Sequence, residues 1–395
     1  MKSTIKILVV SDLHAVIGDG ISDDSRLLFI DGSSEYGDGF IKYAKSVAKD
    51  LDLLICSGDI SNKGNTESFK QGWLFLNKVK AELNIKNMLC VPGNHDHQSR
   101  KTNGVFDPKH HLQFITPPFP FEQENLNTHF WSWHWSHSSN ESDSFNAISL
   151  NTSAYHGYGD EFQYGRIATE VVDQIHTYIC SDSFPKRDFN LLVCHHHPEK
   201  MDYVDTNYDS EAMEGGSYLI RKIDEVDKGP WLIIHGHKHF PDIVHSRSAK
   251  TFGPVIFSAG SMSAKIYPPN KLKTSNQFYI IEVDIIKTSE QGSLAGTFRS
   301  YEWNYSDGWK PSGRECLPSE GGFGSIVPPK ILASKILNEI NDDTPFLDTN
   351  DLTKFENDLK YLTPSDLKDL ISKIDESDFK VLLENNKIVQ IGRKA

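Results

Sequence analysis

Residues 87–97 read Asn-Met-Leu-Cys-Val-Pro-Gly-Asn-His-Asp-His. A short apolar run stops at Pro92-Gly93, and four residues able to bind protons or metal ions follow without a gap. The same figure recurs along the chain. Ile5–Val10 runs into Ser11-Asp12-Leu13-His14, and Leu51–Cys56 runs into Ser57-Gly58-Asp59. Phe189–Cys194 runs into His195-His196-His197-Pro198, and Trp231–Ile234 into His235-Gly236-His237-Lys238-His239. Further apolar runs lie at 147–150, 255–257 and 278–284. Continuous apolar runs of this length fit strands covered on both faces. Loops are polar in general, but that alone predicts a mixture of Ser, Lys, Asn and Gly, not Asp and His at one strand end after another.

Between the runs lie segments with helical spacing. Residues 40–50 place Phe40, Tyr43, Ala44 and Val47 on one face, residues 66–83 behave likewise, and residues 166–180 form a third candidate. This alternation predicts an α/β fold of layered sheet and helix. Ligands in such sheets gather at the carboxyl ends of strands, which is where the polar clusters fall.

Residues 98–145 read as an insertion or lid, with prolines at 117, 118 and 120 and the aromatic stretch Asn127–His137. That stretch could be an alternating strand or a substrate lid, and packing is favoured over base stacking because aromatics are usually structural. Residues 199–216 form a second, acidic loop beside the histidine run. The expected catalytic domain spans 1–285. Residues 286–328 read as a loop-rich extension, with one possible strand at 294–303. Residues 329–395 read as a helical C-terminal region: a helix after Pro328-Pro329, one after Asn350, one capped by Thr363 with Pro364 in its first turn, and a short fourth from Ser377-Asp378. These helices could dock on the core or bind a protein partner.

The chain has 395 residues, 38% hydrophobic and 24% charged, enough for one large core and an appendage. Its formal charge of −13 argues against a nucleic-acid binder held by a broad basic surface. A local basic patch or bound metal could still offset acid at a nuclease site. The five cysteines form no C-x-x-C pair, which fits a reducing compartment and a cytoplasmic location. The apolar run after Met1 is too short for a secretion signal, and no run approaches a membrane span.

Asp12-x-His14 and His237-x-His239 put two side chains on the same side of an extended segment. Gly58-Asp59 and Gly93-Asn94-His95-Asp96 add carboxylate, amide and imidazole. Each is a weak signal alone, but the ordered set D-x-H, G-D, G-N-H-D, H, G-H-x-H is specific. It resembles the calcineurin-like metallophosphoesterase family over roughly residues 5–284. Within that family GDISNKGNTESF, residues 58–69, is similar to the pattern of the class III cyclic-nucleotide phosphodiesterase branch, although Ser68 intervenes between Glu67 and Phe69. Tyr164-Gly165-Arg166-Ile167 before a helix is also similar to that branch. The protein phosphatase branch has GD-x-V-D-R-G and GNHE, and this chain has neither.

The resemblance implies a layered β-sandwich flanked by helices and a binuclear metal centre. It implies Asp12, His14, Asp59 and His239 around one ion, with Asp59 bridging to a second that Asn94, His237 and a histidine of the 195–197 run complete. The family's H-x-P pattern selects His196 through Pro198, with His195 as the alternative and His197 near substrate or in solvent. His235 is expected to be a packed residue. His95 corresponds to the family's proton donor to the leaving oxygen, and Asp96 is expected to accept its other N–H. Mixed nitrogen and oxygen ligation suits manganese, iron or zinc better than calcium. The implied activity is hydrolysis of a phosphate diester, favouring a small nucleotide, by hydroxide generated on the ions. The alternatives are a nuclease acting on DNA or RNA, a phosphomonoesterase or protein phosphatase, and a non-catalytic scaffold.

Overall fold

A computed structural model describes residues 2–19, 22–100, 107–139, 144–157, 164–201, 212–246, 252–266, 273–314, 317–384 and 386–394. Most of the acidic 199–216 loop, parts of the 98–145 insertion and Cys316 lie outside the described residues.

The apolar runs are strands, and they assemble into two main sheets. In the first, Thr4–Val10, Leu53–Cys56 and Asn87–Cys90 lie parallel in that order. Gln277–Asp284 pairs antiparallel on the other side of Thr4–Val10, and Gly296–Asn304 pairs beyond it. In the second sheet, Phe145–Leu150, Phe189–Val193, Trp231–His235 and Val255–Ser258 are parallel, with Trp135–Ser139 and Asp242–His245 as antiparallel edges.

Alternation of side chains explains how the layers form. In Phe189–Val193, Leu191 and Val193 enter the large core shared with the first sheet, while Leu192 turns to the opposite cluster. That second cluster is closed by Val172, Ile175 and Ile179 of the helix Thr169–Cys180 and by Leu219 and Ile223 of the helix Gly216–Asp224. The first sheet is covered by the helices Glu35–Val47 and Thr66–Glu82, through Phe40, Ala44, Phe69 and Trp73. The expected sandwich flanked by helices is therefore present. The first helix begins earlier than residue 40, because Ser34 accepts from the Gly37 amide and fixes its start. Gly37 and Gly39 in its first turns hide that start from a propensity reading.

Three expectations need correction. The aromatic stretch is neither a single strand nor a lid: Glu124–Trp133 is a helix, His134 turns the chain at φ 68°, and the Trp135–Ser139 edge strand follows. Phe130, Trp131 and Trp135 are buried. The segment 286–328 is not only loop. Gly296–Asn304, Gly308–Pro311 and Glu320–Phe323 are strands that extend the first sheet. The C-terminal region has the expected helices at Pro329–Leu337 and Pro364–Asp375, the latter capped by Thr363 through the Asp366 amide. It also contains a small sheet. Phe379–Glu384 is a strand, not a fourth helix, and forms a hairpin with Lys387–Arg393, which Phe346–Asp348 joins. The alternation of Phe379 and Val381, which pack inward, decides that outcome.

The C-terminal unit has its own apolar cluster around Leu332, Ile336, Leu347, Leu370, Ile374 and Ile391. Hydrogen bonds join it to the first sheet: Tyr361 Oη donates to Asp284 at 2.7 Å, and the Ser325 and Gly322 amides donate to the carbonyls of Tyr361 and Leu362. Among the described residues no helix is long and apolar enough to cross a membrane. Leu370 is fully buried in that separate cluster. Leu370→Ala is expected to cost about 2–5 kcal/mol locally. Amide exchange should then accelerate across 329–393 while the strands of residues 4–323 keep their protection.

Candidate metal centre

The two sheets meet where their parallel strands end, and the backbone stitches those ends together. The Asp12 and His14 amides donate to the carbonyls of Gly58 and Asp59, and the Gly236 amide donates to the carbonyl of His195. Across the junction the His237 amide reaches both oxygens of Asp12 at 3.1 Å. Asp12, His14, Asp59, His237 and His239 all have φ between 45° and 76°. Non-glycine residues seldom adopt this left-handed conformation, and such strain concentrates at functional sites. Here it turns the side chains beyond the strand ends toward one another.

Two donor groups result. In one, His239 Nε2 lies 3.2 Å from Asp12 Oδ1 and 3.2 Å from His14 Nε2, while His14 Nε2 lies 3.3 Å from Asp59 Oδ2. In the other, Asn94 Oδ1 lies 3.0 Å from His195 Nε2 and 3.1 Å from His237 Nδ1. Asp59 Oδ2 lies 3.4 Å from His195 Nε2, so one carboxylate oxygen faces both groups. Asp59 Oδ1 accepts the His95 amide at 2.7 Å. Imidazole nitrogens converging on buried carboxylate and amide oxygens fit divalent cations of the manganese, iron and zinc type.

The glycines before these side chains are forced by close approach. A Cβ on Gly93 would lie 2.2 Å from Asp59 Oδ1, and one on Gly236 would lie 2.3 Å from Asp12 Oδ2. Either substitution would push a candidate ligand out of place.

All seven sequence-predicted ligands gather here: Asp12, His14, Asp59, Asn94, His237 and His239, with His196 grouped beside His195 and His237, one ring nitrogen of each within 4.8 Å of the others. The histidine run brings two candidate rings to the second group. His195 is fully buried, its Nδ1 is held 2.8 Å from the Ser57 carbonyl, and its Nε2 faces Asp59 and Asn94. His196 instead sets Nδ1 2.8 Å from Thr152 Oγ1, and its ring packs 4.4 Å from that of His237. Its Nε2 is buried without a hydrogen-bond partner. Both histidines thus stand at the site: His195 Nε2 approaches Asp59 and Asn94, and His196 Nε2 is the buried nitrogen left without a partner beside His195 and His237. His197 is buried, not in solvent, with its ring parallel to that of His237 at 6.0 Å. His235 is buried, with Nδ1 3.1 Å from the Gly236 carbonyl.

Asp96 also departs from expectation. Its carboxylate does not reach the His95 ring. It accepts from the amides of Ile60, Ser61 and Gly93 and from Ser61 Oγ, at 2.7 to 3.1 Å. It is a bracket that locks the Gly93 turn against the Asp59 loop. His95 Nδ1 is met by Asn62 Oδ1 at 3.2 Å, and Asn62 Nδ2 donates to Asp24 at 3.1 Å. Sequence reading passed over Asn62 because an asparagine in a polar turn carries no distinctive signal.

Electrostatics follow from this crowding. Burial opposes charge on Asp59, yet His195, His95 and His14 hold it well below the usual carboxylate range. Burial also opposes charge on Asp12, which His239 and His195 hold below its ordinary value. In return, and against burial, Asp59 raises His14 and pushes His195 up to about 9. Burial and the nearby Asp59 push Asp96 up to about 6, against its backbone donors. Burial drives His95 well below the ordinary histidine value, with His14 adding to the effect and Asp59 opposing it.

The family model for calcineurin-like phosphoesterase matches residues 5–241. The chain belongs to the calcineurin-like phosphoesterase family. It is thus a metallophosphoesterase, a phosphoric ester hydrolase of a family that uses a dimetal centre. No curated protein sequence matches the chain. Among solved structures, a dimetal phosphatase from Danio rerio is similar at 13% identity and TM-score 0.44, covering 71% of this chain and 94% of its own. A purple acid phosphatase from yellow lupin is similar at 14% identity and TM-score 0.48, covering 82% of this chain and 54% of its own. The chain thus spans about half the length of the lupin protein.

The proton that His195 favours stands where a cation would draw on the same nitrogen, and Asp59 shifts His14 in the same direction. Loading with Mn²⁺ at neutral pH is therefore expected to release protons, and affinity should rise with pH until about 9, where His195 loses its own proton. Calorimetry in buffers of differing ionisation enthalpy measures the release directly. An affinity that does not change between pH 6 and pH 9 would contradict it.

Proposed function

We propose that this metallophosphoesterase hydrolyses a phosphate diester at a pair of divalent ions. One ion would be held by Asp12, His14, Asp59 and His239, the other by Asp59, Asn94, His195 and His237. When bound, such ions neutralise charge on the phosphoryl group and acidify water. The remaining work falls to the chain's own residues.

The observation that carries the reading is the setting of His95. Its amide is fixed on Asp59 Oδ1, its Nδ1 faces Asn62, and it lines the same cavity as His14, Asn94, His237 and His239. Two groups face His95 Nδ1: the Lys63 amide at 3.5 Å, and Asn62 Oδ1 at the shorter 3.2 Å; Asn62 Nδ2 is committed to Asp24, so the shorter contact takes Nδ1 as the N–H donor. That arrangement leaves His95 Nε2 to exchange a proton with a substrate oxygen. Burial favours the neutral ring, and the negative charge of an entering phosphoryl group would restore the proton. His95 would then protonate the departing alkoxide. The diester preference rests on the similarity of residues 58–69 to the phosphodiesterase branch. The nuclease alternative has less to support it, because the aromatic segment 131–137 does not line this cavity and its Trp131 and Trp135 are buried, with Trp133 half exposed elsewhere.

Two measurements test this reading. With Mn²⁺, bis(p-nitrophenyl) phosphate should turn over faster than p-nitrophenyl phosphate, and His95→Ala should lower kcat by about 10²- to 10⁴-fold with the metal retained. A faster monoester rate would reverse the diester assignment. Metal analysis should separately find two ions per wild-type chain, one in His195→Ala and two in His196→Ala. The opposite pattern would return the ligand role to His196.

A further inference from the structure

The cavity that holds His95 has a volume of about 510 Å³, which is much larger than one phosphoryl group needs. Among the described residues, apart from the candidate ligands and His95, its charged lining is Asp24, Lys63, Lys238 and Lys265. Three cations against one acid stand out in a chain whose formal charge is −13. A scissile diester carries a single negative charge, and two divalent ions opposed by Asp12 and Asp59 already exceed it. The lysines are therefore surplus to the reacting phosphoryl group.

Their placement is specific. Lys63 Nζ pairs with Asp24 Oδ2 at 2.9 Å, and the same carboxylate oxygen accepts from Asn62. The Lys265 amide donates to the Asp24 carbonyl at 2.9 Å, so Lys265 is anchored beside the same aspartate. Hydrogen bonding from Lys63 holds the Asp24 carboxyl below its usual range, with Asn62 and Lys265 adding to it. One aspartate thus organises two lysines, with its carboxylate in direct ion-pair contact with Lys63. Lys63 sits at φ 57° in a turn that Asp96 fixes through the Ser61 amide, which keeps its backbone close to His95. The Lys63 side chain remains more than half exposed and able to meet a ligand.

We propose that the Asp24–Lys63–Lys265 rim binds a second, distal phosphate, so that the substrate is a phosphoester with a further phosphate on the leaving or retained group. This rests on the phosphoesterase reading and adds a substrate class to it. Lysine suits the task as a flexible point charge that follows a mobile phosphate. An exposed pair contributes modestly, so the discrimination is about tenfold, and it is sensitive to salt.

The test compares ligands that differ only in the distal phosphate: thymidine 3′,5′-bisphosphate and thymidine 5′-monophosphate, with the nucleoside serving only as a scaffold. Calorimetry on the Mn²⁺-loaded protein should find the bisphosphate bound about tenfold more tightly. That ratio should fall toward one in the double variant Lys63→Met/Lys265→Met, and also at about 1 M salt. Charge-retaining Lys63→Arg/Lys265→Arg should preserve it. Equal affinities in the wild type, or an advantage that survives the methionine variant, would overturn the proposal. Because binding is the readout, the comparison stays decisive whatever the turnover result. Failure of the phosphoesterase reading would appear separately, as absent hydrolysis of bis(p-nitrophenyl) phosphate.

Discussion

Two buried carboxylates, Asp12 and Asp59, set the terms for the rest of this molecule. Neither is more than 1% exposed, and buried charge is costly unless it is paired. The chain meets that cost with imidazoles and amides drawn from both sheets, and every local oddity of the site follows from it. Strand ends turn left-handed at Asp12, Asp59 and His237 so that side chains face inward. Gly93 and Gly236 are glycines because the carboxylates occupy the space a Cβ would take. Asp96 spends its hydrogen-bonding capacity on backbone amides, which holds the Asn94 turn rigid against the Asp59 loop. A site assembled from separate strand ends needs such bracing, since small displacements of catalytic groups are expensive.

The sheets make that convergence possible. The five strands that deliver the candidate ligands are parallel within their own sheets and buried on both faces, so their carboxyl ends share one side. The alternation of Leu191, Leu192 and Val193 between two cores pins the register of Phe189–Val193. A one-residue slip would exchange those faces and carry His195 away from Asp59. Register is therefore the link between the hydrophobic core and the chemistry, and the apolar runs encode both at once.

This explains what the sequence shows and where it misleads. Buried parallel strands are nearly uniform in apolar character, so Ile5–Val10, Leu53–Cys56 and Trp231–Ile234 were legible, as were the polar residues that follow them. The proposed ligands outside the histidine run were legible for the same reason. The choice between His195 and His196 was not, because it depends on which ring the strand's last turn aims at Asp59. A run of three histidines gives no internal reference for that. Asn62 and the true partners of Asp96 were equally hidden, since hydrogen bonds between loops distant in sequence leave no periodicity. The strands of 296–323 were obscured by glycine, serine and proline, and the hairpin of 379–393 by lengths too short to separate helix from strand.

The charge arrangement carries the argument one step beyond the ligands. A site built to concentrate cations must still admit an anion, and its outer wall decides which anion enters. Here the wall next to His95 is joined to it by a continuous chain of contacts: Lys63 to Asp24, Asp24 to Asn62, Asn62 to His95. An anion drawn to Lys63 competes with Asp24 for that lysine, and Asp24 is the group that orients Asn62. Occupancy of the rim and the posture of the proposed proton donor would thus be coupled through a single carboxylate. On the proposed reading, substrate selection and proton transfer would not be separate properties of this site, because Asp24 holds both Lys63 and the Asn62 that faces His95.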